Sequence, residues 1–291
     1  MLDIVLARLR ALGLLPLESQ AYCNVFVRLD NVLVDVFDEY GRHYYLRMAD
    51  AYDLEPEYRI AMAVGQAVGR FVPQVLAFIR EGDLSCIVLE GVEFTVLSGT
   101  AVRTTKPSDA LGRELLAYFG HASRSLAMAD QRVALNTLVE SVENRYRGTP
   151  QEPLWNRVLS ATNLQQLAAL PSQRQHGDFV PNNFGMRPQG LVIFDWEDFG
   201  RVDLPGFDLA VLLGSLVDFD PTELRGLRDA ALTGHGALQV PWLRDACRIA
   251  GVEQRSLLRA LPFHLLLFMW LKDRYSKAIR DRVSLAVESL L

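Results

Sequence analysis

The sequence predicts an α+β protein with two lobes, in which a small five-stranded antiparallel sheet with one helix precedes a larger, mainly helical lobe. Two observations predict this plan. From Cys23 to Met48 the chain is rich in β-branched and aromatic residues separated by turn residues, a pattern typical of strands, and two more strand-like runs follow at residues 75–80 and 84–89. Beyond about Thr100, apolar residues recur at helical spacing. The expected lobes are residues 1–92 and 93–291, and the chain is long enough to build both.

The small lobe is expected to open with an amphipathic helix. Apolar residues recur at helical spacing from Leu2 to Leu12, and Gly13 then ends the run. The pattern of the rest of the small lobe predicts three strands at residues 23–29, 32–38 and 43–48 and a helix at residues 54–68. Two more strands, at 75–80 and 84–89, and a short polar break at 90–93 follow.

The large lobe is expected to consist mostly of helices, at residues 111–126, 128–146, 154–170, 209–216, 222–233, 243–249 and 254–276. The most apolar run, Leu261 to Leu271, contains Pro262 and His264 and ends at Lys272. It is shorter than the roughly 18 to 20 residues that a bilayer requires, so we interpret it as a buried helix.

Composition excludes several classes of function. The net charge is −5, from 30 basic and 35 acidic residues, and there is no long basic run, so a nucleic-acid partner is not expected. The three cysteines are odd in number and far apart, which favours reduced thiols over disulfides or a metal site. Asp3, Arg8 and Arg10 interrupt the first apolar stretch, unlike a secretory signal. A cytoplasmic location is therefore expected.

Two neighbouring segments carry the residues suited to chemistry. Residues 176–184 read His-Gly-Asp-Phe-Val-Pro-Asn-Asn-Phe, and residues 191–197 read Leu-Val-Ile-Phe-Asp-Trp-Glu. Pro188 and Gly190 between them favour a turn, so the flanking apolar runs are expected to pair as a hairpin. That pairing sets Asn183 opposite Phe194, next to Asp195.

An amide and a carboxylate placed in this way offer oxygen ligands to one hard cation such as Mg²⁺, which keeps several waters. Asp178, five residues before Asn183, supplies a second carboxylate. The like charges of Asp178 and Asp195 would repel each other, and the cation would offset this repulsion. An Asp followed five residues later by Asn is also the spacing of kinase catalytic loops.

These segments resemble the aminoglycoside phosphotransferase and choline kinase-like superfamily, whose fold is protein kinase-like. The resemblance rests on His-Gly-Asp at 176–178 with Asn183, and on Phe-Asp-Trp-Glu at 194–197. It extends to Pro-Gly-Phe-Asp-Leu-Ala at 205–210 and, less specifically, to Val-Pro-Gln-Val-Leu at 72–76. The matches span most of the chain.

The resemblance implies a role for each matching residue of the large lobe. Asp178 would be the catalytic base, and Asn183 and Asp195 would be ligands of Mg²⁺. In the small lobe, Glu57 would pair with Arg47, the basic residue of the third strand.

The same resemblance places Glu90 and Val92 at the hinge that offers backbone groups to adenine. The phosphate-covering loop departs from the family pattern, because neither Asp30-Asn31 nor residues 19–24 contain glycine. The sequence leaves these two placements open.

Other residues of the segments admit a structural interpretation as well as a functional one. His176 is expected to hold the loop through a backbone hydrogen bond rather than take part in chemistry. Asp208 is expected to be a helix N-cap, a buried support for the loop, or both. Glu197 is either a support near the metal, on the same strand face as Asp195, or a solvated acid. Trp196 and His264 are expected in the core, His264 with its hydrogen bonds satisfied.

The implied function is transfer of the γ-phosphate of ATP or GTP, with Mg²⁺, to a hydroxyl group of a small molecule such as a sugar, amino sugar or amino alcohol. Two alternatives are a catalytically silent kinase-like binding module and a kinase with a protein acceptor. The sequence indicates no membrane span and does not indicate an oligomeric state.

Overall fold

Five strands form one antiparallel sheet in the first third of the chain. The computed structural model describes residues 1–28, 31–126, 135–235, 238–272 and 277–291. The sheet has the order β1-β2-β3-β5-β4. Its strands are β1 (Ala21–Val27), β2 (Val32–Asp38), β3 (His43–Ala49), β4 (Val75–Glu81) and β5 (Leu84–Glu90).

The two faces of this sheet bury different residues. Val34, Leu46 and Val88 lie side by side in the register of β2, β3 and β5, and all three are buried. They share a core with Val5 and Leu9 of α1 (Leu2–Ala11). Because side chains alternate along a strand, the residue after Leu46 points to the opposite face.

The opposite face forms a smaller core around Ala49, Leu54 and Ile87. Helix α2 (Glu55–Val68) follows Leu54 directly, with a proline in its first turn and two glutamates that suit the positive end of the helix dipole. The strands and this helix appear in the predicted order, so the α+β plan of a small sheet lobe and a larger helical lobe is confirmed.

Helices make up most of the remaining chain. They are α3 (Gly99–Thr104), α4 (Ala110–Ser125), α5 (Leu135–Tyr146), α6 (Glu152–Ala161), α7 (Leu164–Ala168), α8 (Phe207–Ser215), α9 (Pro221–Thr233), α10 (Leu243–Ile249), α11 (Gln254–Arg259), α12 (Leu261–Leu271) and α13 (Lys277–Leu290). The short strand β6 (Thr95–Val96) precedes them, and β7 (Phe184–Arg187) and β8 (Gly190–Ile193) form the predicted hairpin.

The chain divides into two compact units. The first contains residues 1–95 and 192–194, and the second contains residues 96–191 and 195–291. In the second unit, α12 is buried along almost its whole length, as predicted for Leu261 to Leu271. Within the described ranges, no helix combines the length and apolarity needed to span a bilayer. The three cysteines are free thiols, with Cys86 and Cys247 buried.

Several predicted helix limits are wrong for identifiable reasons. Residues 154–170 form two helices, because the Asn163 side chain accepts a hydrogen bond from the Gln166 N–H and so starts α7. Residues 254–276 are interrupted at Ala260, where the following helix begins with Pro262 in its first turn. Residues 128–134 and 273–276 of the predicted helices lie outside the described ranges, as do Leu29 and Asp30.

Candidate active site

Hydrogen bonds to a buried carboxylate hold the loop before β7. Asp208, in the first turn of α8, accepts hydrogen bonds from the backbone N–H groups of His176 (2.8 Å) and Gly177 (3.0 Å). Burial raises the pKa of Asp208, and these two hydrogen bonds oppose that shift by stabilising the ionised form. Of the two interpretations of Asp208, the loop support is confirmed. The N-cap interpretation is wrong, since Gly206 occupies that position.

His176 fixes the turn of the same loop. Its Nδ1 accepts a hydrogen bond from the backbone N–H of Asp178 at 3.1 Å, and its ring is fully buried. The rings of Trp196 and Phe179 pack on it, with centroids at 4.4 and 6.0 Å. The predicted structural role of His176 is therefore confirmed. Trp196 is half-buried and contributes to this packing.

Glycine is the only residue type that fits at position 177. Its φ is +92°, in the region that L side chains rarely adopt, and a Cβ atom there would lie 2.7 Å from the backbone oxygen of Asp198. The loop thus packs directly against the backbone of residue 198. This close approach fixes the distance between the loop and the segment that follows β8.

Asp178 is buried beside a lysine that the sequence analysis did not identify as part of the site. The Nζ of Lys272, at the end of α12, lies 2.9 Å from Asp178 Oδ2 and also forms an ion pair with Asp198 Oδ2. Arg201 holds the other oxygen of Asp198 at 2.9 Å. Asp178, Asp198 and Lys272 are 4%, 0% and 2% exposed. We refer to Asp178, Asp198 and Lys272 as the buried charge cluster.

Asn183 and Asp195 flank the hairpin at its open end. Asn183 closes a 3₁₀ turn (Pro181–Asn183), and its side-chain Nδ2 donates to the backbone oxygen of Asp178 at 2.9 Å. The structure therefore holds the Asn183 side chain against the backbone of Asp178. Asp195 lies two residues beyond the end of β8 and is exposed.

The conformation of Asp195 corrects one prediction. Its φ is +59°, so the chain leaves the extended conformation there, and the expectation that Asp195 and Glu197 share one strand face is wrong. An aspartate tolerates this left-handed conformation better than most residues.

Asn183 and Asp195 offer oxygen ligands, which suit a hard cation whose other ligands are phosphate oxygens and waters. Within the described residues, no group of three or more His, Cys, Asp or Glu side chains is arranged to hold a metal ion. Mg²⁺ does not need such a cage, because it is usually bound by one or two protein oxygens together with substrate phosphates and waters. The residues present therefore fit Mg²⁺.

In the first unit, Arg47 and Glu57 form the predicted ion pair. Arg47 Nε lies 3.1 Å from Glu57 Oε2, and the two side chains are 21% and 24% exposed. The pair lies on the α2 face of the sheet, because Arg47 follows the buried Leu46 in β3. The guanidinium is therefore partly accessible, and its role toward phosphate stays a prediction.

The remaining predicted positions of the first unit lie at strand ends. The N–H of Glu90 donates to the Gln74 carbonyl at 2.8 Å, so a contribution of Glu90 to adenine would come from its carbonyl. Val92 follows the end of β5 by two residues. Residues 21–24 belong to β1 and pair with β2, so the stretch 19–24 is no hairpin loop, and Asp30 lies outside the described residues.

Comparison with known proteins gives one family match and a set of structural neighbours. The family model described as "Phosphotransferase enzyme family" matches residues 29–242. A search of curated protein sequences finds no match.

Three solved structures illustrate the neighbours. A candidate aminoglycoside phosphotransferase from Ralstonia eutropha JMP134 is 17% identical with a TM-score of 0.67, covering 100% of this chain and 98% of its own. A choline/ethanolamine kinase family protein from Mesorhizobium loti is 18% identical with a TM-score of 0.63, covering 99% and 94%. An amicoumacin kinase in complex with AMP-PNP, Ca²⁺ and Ami is 15% identical with a TM-score of 0.59, covering 98% and 92%. At these identities the neighbours show the fold.

Proposed function

The chain belongs to the phosphotransferase enzyme family, and from that premise we propose that it transfers the γ-phosphate of ATP to a hydroxyl group of a small molecule, with Asp178 as the catalytic base. The observation that carries the proposal is the arrangement of the loop around Asp178. Asp208 and His176 fix its backbone from one side and Asn183 fixes it from the other. A general base needs a fixed place in the site, and the fixed loop backbone gives Asp178 one.

The proposed reaction needs few groups from the protein. The acceptor oxygen attacks the γ-phosphorus, the bond to the oxygen that bridges the β- and γ-phosphates breaks, and the hydroxyl proton passes to Asp178. Asn183 and Asp195 would hold Mg²⁺, which would neutralise negative charge on the phosphates. Asp178 both orients the hydroxyl and takes its proton.

The first unit is proposed to bind the nucleotide. Arg47, held by Glu57, would contact the phosphates through a planar guanidinium that can pair with carboxylate and phosphate together. Glu90 and Val92 would offer backbone groups to adenine. AMP-PNP in the amicoumacin kinase structure supports ATP as the donor, with GTP as the alternative donor to be tested.

The acceptor is proposed to be a sugar, amino sugar or amino alcohol. The neighbours named for aminoglycosides, for choline or ethanolamine and for amicoumacin support this class. A net charge of −5 is compatible with a cationic acceptor. We further propose a cytoplasmic location, where thiols stay reduced and nucleoside triphosphates are abundant.

Nucleotide binding and phosphate transfer test the proposal in two stages. First, the midpoint of thermal unfolding is measured with ATP and with GTP, each with and without Mg²⁺. A Mg²⁺-dependent rise with ATP is expected, because a ligand that binds only the folded state stabilises it. No response to either nucleotide would favour the silent binding module.

Second, transfer from radiolabelled ATP is measured across aminoglycosides, simple sugars, amino alcohols and a generic protein. With the best acceptor, Asp178→Asn is expected to reduce kcat by about 10²- to 10⁴-fold while the fold is retained. The matched control is Asp229→Asn, an exposed aspartate of α9 in the same unit, which should leave kcat unchanged. Wild-type transfer by Asp178→Asn would remove the proposed base, and labelling of the protein alone would favour the alternative acceptor class.

A further inference from the structure

Lys272 is an unusual residue for its position. It follows α12, whose residues from Leu261 to Leu271 are apolar apart from His264, and its side chain is only 2% exposed. Lysine is almost never buried to this extent without a partner, because transferring an ammonium group out of water is costly. The two carboxylates that offset this cost come from different segments, the loop at Asp178 and the segment after β8 at Asp198.

Asp198 has a second cation and a fixed backbone. Arg201 pairs with its Oδ1 at 2.9 Å, and its backbone oxygen lies against Gly177. Lys272 is therefore held at Asp198 by groups that do not involve the Asp178 side chain. From that anchor, its Nζ reaches Asp178 Oδ2 at 2.9 Å.

The backbone and the side chain of Asp178 are held by different groups. Its N–H donates to His176 Nδ1, and its carbonyl accepts from Asn183 Nδ2, so the backbone is fixed on both sides of the residue. Neither bond restrains rotation of the carboxylate about the side-chain torsions. The ion pair with Lys272 does, since it fixes the place of one carboxylate oxygen.

We propose that Lys272 is the positioning residue for Asp178, which it holds through Oδ2 so that the carboxylate is presented to the acceptor hydroxyl in one orientation. The inference rests on the proposed function of Asp178 as the base. Lys272 acts through Asp178 and is not itself assigned any contact with substrate. Misplacing a reacting group by about 1 Å can reduce the rate by about 10²-fold, which sets the scale of the expected effect.

Three variants separate positioning from charge balance: Lys272→Met, Asp198→Asn, and the double variant Lys272→Met/Asp198→Asn. Methionine keeps the length of the lysine side chain without its charge. The single Lys272→Met leaves two buried carboxylates close together, so its unfolding midpoint should fall sharply. The double variant removes one charge of each sign, so its unfolding midpoint should return to near that of Asp198→Asn.

Activity should not return with stability. Relative to Asp198→Asn, the double variant is expected to have a kcat lower by about 10- to 10²-fold, with KM for ATP within about 2-fold. If Lys272 served only to balance charge in the fold, the double variant would match the kcat of Asp198→Asn, and that result would overturn the inference.

The activity of the wild-type protein shows whether the proposed function or only the role of Lys272 has failed. A wild-type protein that transfers no phosphate to any acceptor of the screen would contradict the proposed function. An active wild-type protein together with a fully active double variant would contradict the role of Lys272 alone. A double variant that unfolds while Asp198→Asn stays folded would also count against the inference, because it would show that Lys272 is needed for the fold itself.

Discussion

Each unit places a cation beside a carboxylate, but the two pairs differ in their access to water. Arg47 and Glu57 of the first unit keep roughly a fifth of their side-chain surface exposed. Lys272, Asp178 and Asp198 of the second unit are almost fully buried. A partly exposed guanidinium can contact a ligand while it stays paired, whereas a buried ammonium can contact only the carboxylates around it. The first pair is thus suited to binding and the second to fixing geometry.

The same difference should appear in stability, and here we expect the largest effect. Asp198→Ala leaves the cations of Lys272 and Arg201 with one carboxylate fewer, and breaking a buried ion pair typically costs about 3 to 5 kcal/mol. The matched variant Glu57→Ala breaks the partly exposed pair, for which about 1 kcal/mol or less is expected. Chemical denaturation of both variants measures the two changes in the free energy of unfolding.

Equal losses in Asp198→Ala and Glu57→Ala would show that burial does not distinguish the two pairs. An unchanged denaturant slope in each variant is the check that the unfolding reaction itself stays comparable.

A buried histidine sharpens the comparison, because no carboxylate of the described residues forms an ion pair with it. His264 of α12 is 1% exposed, and its Nδ1 makes no hydrogen bond with the described residues. The expectation of a core histidine is confirmed, but the expectation that its hydrogen bonds are satisfied is wrong for Nδ1. Burial lowers the pKa of His264 from 6.5 to about 4, because the protonated ring is poorly solvated there.

His264 should therefore make the fold less stable in acid. The unfolded chain takes up a proton on this residue below pH 6.5, whereas the folded chain stays neutral there until about pH 4. The stabilisation is complete above pH 6.5 and is lost as the pH falls toward 4, by an amount on the order of 3 kcal/mol. Denaturation curves from pH 8 to pH 4 should show a shallower decline for His264→Leu than for the wild type.

The pH 8 measurement serves as the control for packing, since His264 is neutral there in both states. Parallel declines of the wild type and His264→Leu between pH 6.5 and 4 would contradict the assignment of this acid sensitivity to His264.

The sequence predicts those parts of the site that are close together along the chain. The strand pattern and the spacing from Asp178 to Asn183 are local features, so the sequence shows both directly. The strand pattern also predicts the order of strands and helix along the first part of the chain. The cluster around Lys272 is different, because 74 residues separate Lys272 from Asp198 and only the folded chain joins them. The sequence feature that could have indicated this cluster is a single lysine directly after an apolar helix.

Local conformation sets a second limit on prediction. The apolar run through Phe194 suggests a strand that continues to Asp195, but the strand ends at Ile193 and Asp195 is left-handed. Nothing in the residue types around Asp195 marks this change. Helix α13 is also absent from the sequence prediction, although its buried residues lie at helical spacing on one face.

The smallest predicted difference concerns two glycines, one in each unit. Gly13 and Gly177 both have positive φ, +72° and +92°, but a Cβ atom would meet nothing within 4 Å at Gly13 and the backbone of Asp198 at Gly177. Gly13→Ala should therefore cost about 1 kcal/mol, the price of the left-handed conformation alone. Gly177→Ala carries that cost and also forces the loop away from Asp198, for which we expect about 2 kcal/mol more.

Because the loop carries Asp178, Gly177→Ala should lower kcat as well as the free energy of unfolding, whereas Gly13→Ala should lower only the latter. Denaturation together with transfer assays on both variants separates the two effects. If Gly177→Ala lost stability but kept the kcat of the wild type, the contact between the loop and Asp198 would be a packing contact without influence on the base. The buried charge cluster would then tolerate a displaced loop, contrary to the rigid geometry that its burial implies.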